Sequence, residues 1–263
     1  MSSANTDQTF DDISQQGQRL ADEILDCIQV LNMQNRSPKK ISFIGHSMGA
    51  LVAKCAASHD SLKNYRHLFY TYLSFSGPHL GLKYHPSSTH SLGLWLLQKF
   101  KKSISLQQLQ LKDSDKPIPY LYRLLRRHCF EFFQNVVLVS SAGDKYVPFH
   151  SARIELSKEA DNDQSALAKV HKDSIRLVEK LILESKRNTK LIRYHAFTNY
   201  SNQPGVSAIE NAMTQLTGRQ AHIMTLENES FMEKFLLIAG HKYFVWEEDG
   251  EEKQSQKRKK FKI

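Results

Sequence analysis

Apolar positions divide the chain into segments of two periods. Ile13, Leu20, Ile24, Ile28 and Leu31 share one helical stripe, predicting a helix over residues 13–31 with Thr9 or Asp11 as its cap. Pro38 ends that pattern, and the apolar residues 41–44 predict a short buried strand. A tight turn over residues 45–49 then leads into a small-residue helix at 50–58, with Leu51, Val52 and Cys55 expected to face the sheet. Residues 67–75 form a second strand running into Ser76-Gly77-Pro78-His79-Leu80-Gly81. An insertion at about 82–134 follows, with an apolar helix at 92–100, a polar linker and a helix at 120–128. Residues 136–140 resume as a Val-rich strand that stops at Gly143-Asp144. Leu167, Val170, Leu177, Val178 and Leu181 mark a helix over 167–183, residues 191–197 a further strand, and Phe231, Phe235 and Ile238 a closing helix. Strands separated by helical segments pair in parallel, so the expected class is α/β, a mostly parallel sheet with helices on both faces.

Length and composition narrow this picture. A chain of 263 residues with 40% hydrophobic content holds one ordinary domain, or at most two small ones. Its longest apolar runs, such as 94–97 and 235–239, fall far short of the roughly 18 residues that span a bilayer. The first twelve residues are polar and end acidic, unlike a secretory signal. Cys27, Cys55 and Cys129 are few, odd in number and far apart, which argues against a disulfide framework and makes a reducing, cytoplasmic compartment the expectation.

The net charge of +9 is diffuse. Five acids and six bases between Glu247 and Lys262 leave a tail, residues 247–263, contributing only +1, and either a nuclear address or a disordered end fits it. The remaining charge, in groups such as Lys99, Lys101 and Lys102, suits a solvated basic surface, and no nucleic-acid recognition motif accompanies it.

Gly45-His46-Ser47-Met48-Gly49 is a G-x-S-x-G where strand meets helix. A serine there sits on a strained turn that needs small neighbours, its hydroxyl held out as a nucleophile and the Met48 N–H placed as an oxyanion donor. Such a serine requires a base, and the base a carboxylate that holds its tautomer, in the chain order Ser, Asp or Glu, His. Asp144 follows a strand end and precedes the loop-like Lys145-Tyr146-Val147-Pro148, whereas Asp113, Asp115, Asp161 and Asp163 lie in polar segments and read as solvated surface. Of the downstream histidines, His150 shares the Asp144 loop, His171 sits on a helix, His195 lies inside a strand and His241 at a helix end. His222, between the last strand and the closing helix, is the base this order favours.

The stretches from Ile41 through Gly49, Leu73 through Gly81 and Asn135 through Val139 carry a family resemblance, as do Asp144 through Glu155 and Arg219 through Ile223. Together they resemble the lipase-like serine esterase domain found at the C-terminus of the "family with sequence similarity 135" proteins, over residues from about 7 to 243. The resemblance implies an α/β-hydrolase fold and a triad at the matching positions Ser47, Asp144 and His222. It also implies further strands and a His-Gly oxyanion loop ahead of the nucleophile. Only 46 residues precede Ser47, with one helix and one strand, and the chain contains no His-Gly dipeptide. The expectation is therefore an N-terminally truncated hydrolase domain over 1–246, whose strand at 41–44 forms an apolar exposed edge.

The insertion occupies the place where lipases of this fold carry a cap. Leu92, Leu94, Trp95, Leu96, Leu97 and Phe100 ahead of Lys101 and Lys102 suit either an interfacial lid on an anionic lipid surface or an ordinary buried helix. The expected activity is hydrolysis of carboxylic esters, of lipids in particular, with no metal or organic cofactor. The alternative is a non-catalytic hydrolase-fold module that binds a lipid surface or a protein partner.

Overall fold

The computed structural model of the chain describes residues 1–84, 103–113, 117–196, 222 and 229–245. The expected helix at 92–100, with Trp95, Lys101 and Lys102, lies outside these residues, as do Asp115 and the charged tail at 247–263. Among them, β1 (Ile41–His46), β2 (Phe69–Phe75), β3 (Asn135–Ser140) and β4 (Lys190–His195) form one sheet in that order, with every pairing parallel. Each strand falls where the apolar runs predict one. β2 begins at Phe69 because His67 belongs to a 3-10 helix, Asp60–Leu68, whose start is held by the His59 ring accepting from Ser61 N–H.

The period-two alternation of these strands builds two different faces. Phe43, Tyr72, Val136 and Leu138 share one cluster with Ala53, Ala56 and Ala57 of α2 (Met48–Ala57). Ile175, Val178 and Ile182 of α6 (Ala166–Leu183) join the same cluster. Leu73, Phe75, Val137 and Val139 point the other way, onto Phe235 and Tyr243 of the segment that follows α7 (Glu229–Lys234). Helical segments thus cover both faces, as expected of an α/β sheet. The expected closing helix is only partly α-helical: after Lys234 the chain widens into a π turn at Phe235–Gly240 and tightens into a 3-10 turn at His241–Tyr243.

Two expectations about the first helices need correction. The cap of α1 (Ile13–Met33) is Asp12, not Thr9 or Asp11. The residue directly before the first helical position is the one whose carboxylate can reach the orphan N–H of Ser14. On α2, the side turned to the sheet is the alanine side, while Leu51, Val52 and Cys55 pack away from it with Ile13 and with Leu106, Leu109 and Leu121. The latter three come from α3 (Ile104–Leu109) and α4 (Tyr120–Leu125), the second of which stops short of the expected residue 128. A helix buried all round offers no amphipathic direction, and small side chains go where the axis must approach the strands most closely.

β1 is an outer strand of the sheet among the described residues, and Ile44 is 58% exposed on it. The carboxyl ends of β1, β3 and β4 therefore open toward the same side, where the strand-to-helix turns gather.

Candidate active site

The turn from β1 to α2 contains a single residue. Ser47 adopts φ 52° and ψ −129°, a left-handed conformation costly for a side chain bearing a Cβ, and serves as the N-cap residue of α2. Its N–H donates to Phe75 O of β2 at 2.8 Å, and Ala50 N–H returns to Ser47 O at 3.1 Å. The buried Tyr72 hydroxyl donates to Ala50 O at 2.5 Å, tying the helix start to β2. A Cβ at Gly45 would lie 2.5 Å from Ala50 Cα, so glycine is required there. At Gly49 the expectation fails: a Cβ would meet nothing within 4 Å, because this residue faces outward on the first turn. The Met48 N–H, first in the helix, has no intrahelical acceptor by the geometry of a helix start.

Asp144 sits in the turn after β3, ahead of α5 (Phe149–Arg153). One carboxylate oxygen, Oδ1, accepts from the N–H groups of Tyr146 at 2.8 Å and Val147 at 3.0 Å. The other, Oδ2, lies 2.8 Å from His222 Nδ1. Burial alone would raise the pKa of Asp144. The bond from His222, the charge of that ring and the two backbone donors together outweigh it and hold the carboxyl below its ordinary value.

His222 closes the arrangement. Its Nε2 is 3.0 Å from Ser47 Oγ, across 175 positions of sequence. A carboxylate can only accept, so Nδ1 carries the proton and Nε2 presents a lone pair to the serine hydroxyl. The Tyr146 ring meets the imidazole edge to face at 5.3 Å, and the His46 ring lies 4.9 Å away at 46°. His46 Nε2 stands 2.8 Å from the main-chain oxygen of His222. Burial, then the neighbouring His222, push the pKa of His46 down to about 4.

Ser47, Asp144 and His222, the three residues singled out by motif and chain order, thus form one hydrogen-bonded chain. Two of the other downstream histidines are engaged elsewhere. His171 is buried with Nδ1 2.8 Å from the Tyr122 hydroxyl, and His195 accepts from Ala142 N–H at 3.3 Å beside the Phe149 ring. Two of the acids expected to be solvated also make local hydrogen bonds: Asp113 accepts from Tyr120 N–H at the start of α4, and Asp163 accepts from Lys83 and the Tyr84 hydroxyl. Both serve as local caps or clasps, roles that polar composition does not distinguish from solvation. His46 and the buried pair of Ser74 and His79, with Oγ and Nε2 3.0 Å apart, escape sequence reasoning. The motif leaves the first of these positions free, and the pair lies inside an apolar run and its following loop.

No helix among the described residues is long and apolar enough to cross a membrane. Among the same residues, no group of three or more His, Cys, Asp or Glu side chains is arranged to hold a metal ion.

Compared with known proteins, residues 1–166 match the family described as "Putative serine esterase (DUF676)". That stretch includes Ser47 and Asp144 and ends before His222. No solved structure matches the chain. The match covers more than half of the sequence, and the chain belongs to this serine esterase family.

Proposed function

We propose that the protein hydrolyses carboxylic esters through an acyl-enzyme, with Ser47 as nucleophile, His222 as general base and acid, and Asp144 as the group that orients His222. The observation that carries this reading is the chain of bonds from Ser47 Oγ through His222 to Asp144, with links of 3.0 and 2.8 Å. As Ser47 Oγ attacks the acyl carbon, its proton passes to His222 Nε2, and Asp144 stabilises the imidazolium that forms. The Met48 N–H, at the positive end of α2, stabilises the oxyanion. His222 then protonates the departing alcohol, and in the second half removes a proton from the water that releases the acid. No step needs a redox or metal cofactor.

Two features support a second reading, a hydrolase-fold module that binds a lipid surface or a protein partner without turnover. Met48 is the one oxyanion donor identified among the described residues, and a missing second donor typically lowers the rate by about 10²–10³. Among the described residues, the outer strand β1 also leaves an apolar edge open, with Ile44 on it.

Reaction of the purified chain with a fluorophosphonate probe, followed by mass spectrometry, separates the two. The esterase reading expects the adduct on Ser47; a folded protein that acquires no adduct overturns it. If labelling occurs, a series of p-nitrophenyl esters of rising acyl length tests the lipid assignment, which expects kcat/KM to climb beyond short chains.

A further inference from the structure

We infer that His46, at the position that G-x-S-x-G leaves unspecified, is a positioning residue: its Nε2–H holds the main-chain oxygen of His222 and so sets where the base meets Ser47. The inference rests on the reading of Ser47 and His222 as nucleophile and base. Asp144 and Ser47 both contact His222 at its ring nitrogens, the far end of the side chain. The 2.8 Å bond from His46 supplies an anchor at the other end, and it spans 176 positions of sequence.

The arrangement is economical in geometry. His46 and Ser47 are consecutive, so the turn that aims the nucleophile also grips the backbone of the base. Their separation is fixed locally, although the two catalytic groups are distant in sequence. A carbonyl oxygen only accepts, so His46 must carry its proton on Nε2. Burial keeps the ring neutral to about pH 4, so no second cation faces His222 when that ring becomes charged. The 4.9 Å ring contact adds a wall against swivelling of the His222 imidazole.

The test compares the full-length wild type with His46→Gln, whose amide nitrogen can reach the same oxygen, and His46→Leu, which removes the donor. Circular dichroism and thermal melting check that each is folded. The expected result is a fluorophosphonate inactivation rate constant roughly 10- to 100-fold lower in His46→Leu, with probe binding unchanged, because a base displaced by about an ångström loses that much. His46→Gln should recover most of the loss. Equal rate constants in His46→Leu and wild type overturn the inference while leaving the esterase reading intact. Should the wild type fail to label at all, the esterase reading falls and the positional claim is read by proton NMR. The downfield Nδ1–H resonance of His222, shielded from exchange by Asp144, should persist in wild type and His46→Gln and broaden away in His46→Leu. An unchanged resonance in His46→Leu overturns it.

Discussion

Two serine–histidine pairs stand at the carboxyl ends of neighbouring strands, with the same Oγ to Nε2 distance of 3.0 Å. One joins Ser47 to His222. The other joins Ser74, which lies in register with Gly45 on the adjacent strand, to His79. Ser47 is half-buried on a strained turn, and its histidine is backed by a carboxylate. Ser74 and His79 are almost wholly buried, and His79 Nδ1 has no hydrogen-bond partner among the described residues. Moving a proton from Ser47 to His222 creates a cation beside Asp144. The same transfer at the inner pair would leave an unpaired charge in the core, and burial followed by the Lys54 charge drives the His79 pKa down to about 3. A serine–histidine hydrogen bond is therefore common to the proposed active site and to core packing. The third group and the access to solvent separate them.

The largest test of this contrast exchanges the two serines for alanine in turn. Ser47→Ala should abolish fluorophosphonate labelling, whereas Ser74→Ala should label at close to the wild-type rate while losing about 1–2 kcal/mol of stability from the orphaned imidazole. Labelling that survives Ser47→Ala and disappears in Ser74→Ala would reverse the assignment.

Next in size is the carboxylate. Asp144→Asn keeps the shape of the turn but offers an amide that can donate to His222 Nδ1, favouring the wrong tautomer. Inactivation should slow by about 10³–10⁴-fold, with far-UV circular dichroism unchanged. A loss below tenfold would mean that Asp144 contributes no more to His222 than the absent partner contributes to His79.

The glycines around the two pairs come third. Gly45→Ala places a methyl 2.5 Å from Ala50 Cα, and Gly77→Ala drives one into the gap between Ser74 and His79, 2.8 Å from Ala50 Cβ. Each should cost about 1–3 kcal/mol in denaturant unfolding. Gly49→Ala should stay within about 0.5 kcal/mol, since its Cβ meets open space. Equal costs for Gly45→Ala and Gly49→Ala would show that the turn relaxes in a way its geometry does not suggest.

The legibility of these features in the sequence follows their physical scale. Strands β2 and β3 were readable because a parallel strand buried on both faces is a continuous apolar run, as residues 136–139 are. Ser47 and Asp144 were readable because each sits where a strand ends, a place that periodicity locates within a residue or two. His222 followed from chain order and from the family resemblance, and its contact with Ser47 is a tertiary fact that no local pattern encodes. The alanine face of α2 was misjudged because hydrophobicity ranks leucine above alanine, whereas close helix–sheet approach favours the smaller residue. Glycine was overvalued at Gly49 because the motif treats its two glycines alike. The close approach at Gly45 distinguishes them. His46 and the inner pair remained invisible because their meaning lies in partners brought together by the sheet.

The smallest effect tests why the inner pair is inert. His79 in the folded protein titrates near pH 3, below the ordinary value of about 6.5 that it regains on unfolding. Between these values the unfolded chain binds the extra proton, so this residue makes stability fall as the pH drops below about 6.5 and has no effect above it. From pH 7 to pH 5.5 its share is about 1.3 kcal/mol. His79→Phe removes the titrating group and its bond to Ser74, which lowers stability at every pH by a constant amount. The gap between wild type and variant in urea unfolding should therefore narrow by about 1.3 kcal/mol on going from pH 7 to pH 5.5. A gap that stays constant would mean that His79 accepts a proton inside the folded core. Then burial alone would not distinguish it from His222, and the carboxylate of Asp144 would be left as the whole of the difference between the two pairs.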